Sequence, residues 1–150
     1  RGDFIFTSVD PNGVLKVQYI EKLESIDGTA YTPKVNFSAD TTLASSFINE
    51  PFKFERPLDV EFTGDGTNYI FVIDAEKDSL YQFTANGLEG VEPPPASGQT
   101  KFIKTSFGGT GIGASQFNEP AAVAYNDRIL YVADKGNGRV LRFKLTLDIR

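Results

Sequence analysis

Histidine, cysteine, methionine and tryptophan are all missing from these 150 residues. Without histidine, neither a Ser-His-Asp nor a Cys-His catalytic group can be assembled, and a histidine-ligated zinc site is excluded. Without cysteine there are no disulfides and no thiolate metal ligands. No apolar run approaches the roughly 18 residues that a membrane-crossing helix needs, so no membrane span is expected. Basic charge is also scarce: 15 Lys and Arg stand against 20 Asp and Glu, for a net charge of −5. A nucleic-acid partner would want a basic face, so none is expected. The Met-free composition, rich in Thr, Asn and Phe, leads us to expect an extracytoplasmic setting (secreted, periplasmic or cell envelope).

What is present is a repeat. FERP at 54–57 is followed by LDVEF, and FNEP at 117–120 by AAVAY. Pro57 and Pro120 are 63 residues apart. YIFVID at 69–74 and SLYQF at 79–83 return as ILYVAD at 129–134 and RVLRF at 139–143, now 60 residues on. The difference is a small indel in the GDGTN turn at 64–68. A more degraded copy opens the chain, with FIFTSV at 4–9, a DPNG turn at 10–13 and VLKVQY at 14–19. Short β-rich runs that alternate apolar and polar residues between Gly, Asn, Asp and Pro turns are the signature of strands and hairpins. The best helical window, Val17 to Ile26, is rich in residues that suit a continued strand. A period of about 60 exceeds the about 40–50 common for propeller blades. Two insertions account for the excess, Thr41 to Pro51 and Glu89 to Gln99, and the triple proline of the second is read as an exposed loop.

The stretch from Phe107 to Phe143 resembles an NHL repeat, the blade unit of one class of β-propeller. The resemblance implies an all-β fold of antiparallel four-stranded blades, with repeat units at roughly 1–53, 54–116 and 117–150. Closure takes at least about four blades, so the propeller is expected to be incomplete in this chain and to be part of a longer protein or larger assembly. Core packing is expected from Val60, Phe71, Val72, Leu80 and Phe83 in one blade, and from Val123, Tyr131, Val132, Val140 and Phe143 in the next.

Several motifs invite a chemical reading. GTGIGA at 109–114 has the spacing of a dinucleotide loop, but Pro120 follows too closely for the helix such a loop must open, so the glycines are read as a crossing between blades. Asp134, Asn137 and Arg139 form the D-x-x-N-x-R core of the resemblance. They are read as structural turn and pairing residues, with Asp74 as the upstream counterpart and Asp78 in place of the asparagine. DPNG at 10–13 departs from a calcium loop at Val14 and Leu15 and reads as a hairpin turn. NFS at 36–38 is a glycosylation sequon only in a eukaryotic secretory context.

Function is therefore expected to be non-catalytic: a scaffold or recognition module whose loops meet a protein or glycan partner. The candidate contact residues are Asn49, Glu50, Glu92, Pro93, Pro94, Pro95 and Lys135. No catalytic residue, metal ligand or cofactor is assigned. The alternative, implied by related propellers, is a calcium-dependent lactonase or lyase-type enzyme, to which Asp59 or Glu61 would contribute and missing blades the remainder. Amidating lyases with NHL repeats use histidines around the central channel, which this chain lacks.

Overall fold

The computed structural model describes residues 2–9, 15–34, 37, 47, 48 and 53–145. The fold is all-β, and the described residues form three antiparallel sheets. The first contains β1 (Phe4–Val9), β2 (Leu15–Ser25), β3 (Gly28–Pro33) and β4 (Phe47–Ile48). The second is β5 (Pro57–Phe62), β6 (Tyr69–Asp74), β7 (Ser79–Thr84) and β8 (Phe107–Gly108), paired in chain order. The third is β9 (Pro120–Asn126), β10 (Ile129–Asp134) and β11 (Arg139–Lys144). The Val17–Ile26 window lies almost wholly in β2.

Two sheets depart from the expected four-stranded meander. Among the described residues the third has three strands. In the first, β2 is eleven residues long; its first half pairs with β1 and its second half with β3. That leaves Val17 and Gln18 free on their other edge, and β4 pairs there. Part of the Thr41–Pro51 insertion is thus a strand, while its remainder, including Asn49 and Glu50, lies outside the described residues. So do the DPNG turn and the sequon positions 36 and 38.

The repeat is visible in backbone detail. Pro57 pairs with Asp74 and Pro120 with Asp134, and in both blades the register slips at once, skipping Leu58 and Ala121. Such a bulge bends the strand and raises its twist. β6 alternates between two neighbours: Ile70 and Val72 join Val17, Tyr19, Phe37 and Phe83 on the side of the first blade. Phe71 and Ile73 join Leu80, Phe117, Val123 and Val132 on the side of the third. A strand covered on both faces reads as a continuous apolar run, as YIFVI does. The expected core positions Val140 and Tyr131 are corrected here. Val140 is 65% exposed and Tyr131 half-buried, because both lie on the face of the third blade turned away from the second.

Candidate functional site

The polar residues of the repeat are built into the junctions between elements. Asp134, fully buried at the end of β10, accepts hydrogen bonds from the backbone N–H of Asn118 (2.7 Å), from Asn137 Nδ2 (2.9 Å) and from Arg139 Nε (2.8 Å). The same guanidinium donates to the carbonyls of Ile112, Gly113 and Gln116, and Asn137 to that of Gly111. The triplet therefore clamps the glycine-rich crossing as well as its own hairpin. Asp74 is the counterpart in the second blade, buried and bonded to the N–H groups of Glu55, Arg56, Glu76 and Lys77.

Among the described residues four carboxylates outside that pattern join the second blade to the third: Asp59, Glu61, Asp78, and Asp65 on the turn between β5 and β6, which accepts from the Tyr125 hydroxyl (2.5 Å). The expectation that Asp78 replaces the asparagine is corrected: with Asp74–Ser79 and Asp134–Arg139 paired alike, Lys77 stands where Asn137 does and Asp78 where Gly138 does, these last two both with positive φ. Asp78 accepts from Thr110 Oγ1 (2.6 Å) and from the N–H of Glu119 (2.7 Å). Asp59 accepts from the N–H of Val123 (2.9 Å) and Glu61 from that of Tyr125 (3.4 Å). Spaced by two along β5, Asp59 and Glu61 serve alternate N–H groups of β9, which would otherwise be an unpaired edge. These are the two carboxylates the calcium reading would use. Among the described residues no group of three or more Asp or Glu side chains comes together to hold a metal.

Titration follows from these partners. Burial alone would raise the Asp134 carboxyl, but the Asn118 N–H, Arg139 and Asn137 outweigh it and bring it below its usual 3.8. Burial would likewise raise Glu89, and Lys53, Ser106 and Lys104 lower it instead. Asp65 is held at about 2 by the hydroxyls of Thr67 and Tyr125. Glu61 moves the other way: burial raises it, against the Tyr125 N–H, with the Asp59 charge adding to the rise. A depressed carboxylate stabilises the fold above its unfolded pKa, and that stability is lost as pH falls through the folded value. Three depressed groups against one raised predict a melting temperature that falls between about pH 4 and pH 2. Tyr125→Phe removes one donor to Asp65 and is expected to raise that carboxyl, which a ¹³C-detected NMR titration measures directly.

The proline insertion lies elsewhere than the blade ends. Glu89 bridges Phe83 and the Gly90 N–H bonds the Gln82 carbonyl (2.8 Å); the chain then leaves the ladder and returns at Ser106, whose hydroxyl accepts from the Gln82 N–H, before β8 pairs with Leu80. The excursion, residues 91–105, thus interrupts the outer strand of the second blade. A Val91–Ile103 bridge closes its neck through two N–H to carbonyl bonds of 2.9 Å. The expectation of a fully exposed loop is corrected at Pro93, which is buried against the blade. Pro94 is half-buried, Glu92 and Pro95 are exposed, and Pro95–Ser97 form one 3₁₀ turn closed by the left-handed Gly98. Lys135 is exposed on the β10–β11 turn, apart from this excursion.

Beneath the excursion is a cavity of about 540 Å³ between the outer halves of the second and third blades. Tyr69, Phe71, Phe107, Leu130 and Phe143 supply apolar wall, and Pro93 to Pro95 form one side. Among the described residues two buried polar atoms have no hydrogen-bond partner, Gln82 Nε2 and Thr105 Oγ1, and both residues line this cavity. Neither was visible as a site in the sequence; the one available signal was a glutamine at an inward position of β7, where alternation from Leu80 asks for an apolar residue.

No helix among the described residues is long and apolar enough to cross a membrane. A search of curated proteins finds no match to this chain. The family model described as NHL repeat matches residues 117–143, from Phe117 through the clamp of Asp134, Asn137 and Arg139 to the apolar end of β11. Residues 117–143 are thus an NHL repeat, set as the last of the three antiparallel sheets of the described residues.

Proposed function

We propose that this chain is a non-catalytic recognition module that meets a protein partner through the excursion at residues 91–105. The observation that carries the reading is the way this segment is held. It is pinned at its neck by the Val91–Ile103 bridge and seated on buried Pro93, and it presents Pro95 to Gly98 outward in a preset turn. A loop ordered before binding loses less entropy on association, and prolines fix its backbone further. The engagement of Asp59 and Glu61 by β9 supports this reading over a calcium-dependent enzyme. We propose an extracytoplasmic setting for the module, a reading supported by its Met-free composition rich in Thr, Asn and Phe.

A photo-crosslinking amino acid at Ala96, in cells that produce the protein, is expected to give one discrete protein adduct. The same residue at Asp27, on the exposed β2–β3 turn, is expected to give none. Equal labelling at both sites, or none at 96, overturns the reading. A calcium-dependent rise in melting temperature would favour the enzyme instead.

A further inference from the structure

We propose that the cavity between the second and third blades is a binding site for a small, uncharged, largely apolar molecule that offers a hydrogen-bond acceptor to Gln82 and Thr105. This does not rest on the recognition reading: Pro93 to Pro95 line the cavity, whereas Ala96, the position that tests the partner contact, does not.

Size is the first argument. A volume of about 540 Å³ sits within the roughly 300–1,000 Å³ of small-molecule pockets. Lining is the second: the walls are aromatic and aliphatic, with Phe107 and Phe143 edge to face at 4.9 Å between centroids. Flat apolar ligands suit such walls. The third argument decides the chemistry. Buried polar groups are nearly always hydrogen-bonded, yet Gln82, 6% exposed, has an unpartnered amide nitrogen, and the Thr105 hydroxyl is likewise unmet. An amide N–H can only donate, and a threonine hydroxyl can also donate. The complementary group is therefore an acceptor such as a carbonyl or ether oxygen, which meets the two donors once their side chains turn from their covered positions into the cavity.

Charge is excluded from the ligand by the same geometry. The charged lining residues Glu92 and Lys144 are both exposed, so none stands at depth to pair with an ion, and an unpaired buried charge is strongly disfavoured. The Tyr69 hydroxyl, raised by burial, stays neutral. The prolines keep that side of the cavity in place before anything binds.

The test uses three naphthalene probes on the full chain, followed by ¹⁵N–¹H NMR: 2-acetonaphthone, with one carbonyl acceptor; 2-ethylnaphthalene, without one; and 2-naphthoate, which is charged. The ketone is expected to shift the Gln82 side-chain amide and the Thr105 and Phe107 backbone amides. It should bind about tenfold more tightly than the hydrocarbon, as one net hydrogen bond allows, and more tightly than the carboxylate. Gln82→Leu should keep a cooperative melt and reduce the preference for ketone over hydrocarbon to near parity. Thr105→Val serves as the second variant should Gln82→Leu not fold. Equal binding of ketone and hydrocarbon by the native chain, shifts that avoid Gln82, or a preference that survives both variants overturns the proposal and leaves the two polar groups to ordered water. Crosslinking at Ala96 is independent of all three outcomes.

Discussion

Replacing Asp134 by alanine lowers the unfolding free energy by about 3–5 kcal/mol, the range for stripping one partner from a buried ion pair. The carboxylate is fully buried and meets three donors on three different segments: the chain entering β9, the turn after β10 and the start of β11. Its loss leaves the Asn118 N–H unmet and Arg139 without its counter-charge. Arg139 is also the residue whose guanidinium gathers the carbonyls of Ile112, Gly113 and Gln116. Damage therefore reaches the crossing between blades, and amide hydrogen exchange should rise across 111–118 as well as at the hairpin. Arg139→Ala should cost less, since the buried acid keeps its Asn118 and Asn137 donors. The double variant should cost less than the two single ones summed, because each removes the same pair. Urea denaturation of the four chains measures this. A loss below about 1 kcal/mol for Asp134→Ala would be typical of an exposed pair and would show that the clamp carries little.

Gly90→Ala is expected to destabilise the chain by about 3 kcal/mol, combining backbone strain with a steric clash. Gly90 has a φ of +95°, and a Cβ there would lie 2.2 Å from the Ile103 carbonyl oxygen and 2.9 Å from its carbon. Both obstacles are backbone, and Ile103 is itself held by its bridge to Val91. Relief comes only by opening the neck, which frees residues 91–105 and unseats Pro93. Trypsin should then cleave at Lys101 and Lys104 much faster than in the native chain. Gly98→Ala is the contrast: φ is +67° and the space for a Cβ is open, so only the left-handed strain of about 1 kcal/mol remains. Equal cleavage in the two variants would contradict the closed neck.

Much of the fold was legible because the strongest signals are local. The runs 69–74 and 129–134 are β6 and β10 to the residue, and the hairpins around them follow. Alternating apolar residues fix such strands without reference to distant chain. The faces were harder. Val140 reads as core by its pattern, yet whether an apolar residue is covered depends on which neighbour stands beside it, and among the described residues only one face of the third blade has one. Gly and Pro show where residue 91 leaves the ladder. They carry no sign that Ser106 and Phe107 rejoin the same outer strand. The carbonyl partners of Arg139 are 23–27 residues upstream, and the pairings of Asp59 and Glu61 span 64. The Asp-x-Glu spacing on a strand flanked by apolar positions was the only available hint. Gln82 and Thr105 left almost none, since their isolation exists only once the cavity does.

The carboxylates that join the second and third blades all accept forward along the chain. Asp59, Glu61, Asp65 and Asp78 belong to the earlier blade and receive N–H or hydroxyl groups of the later one, whereas the third blade has alanine at 122 and 124 where β5 has Asp59 and Glu61. Repeat arrays gain much of their stability from such nearest-neighbour terms, and here the term has a direction. During synthesis the second blade emerges with its acceptors already placed, so the third can condense on a finished template as it leaves the ribosome. In the mature chain the order of release reverses, and β9 to β11 can peel away while the second blade keeps its own Asp74 clamp intact.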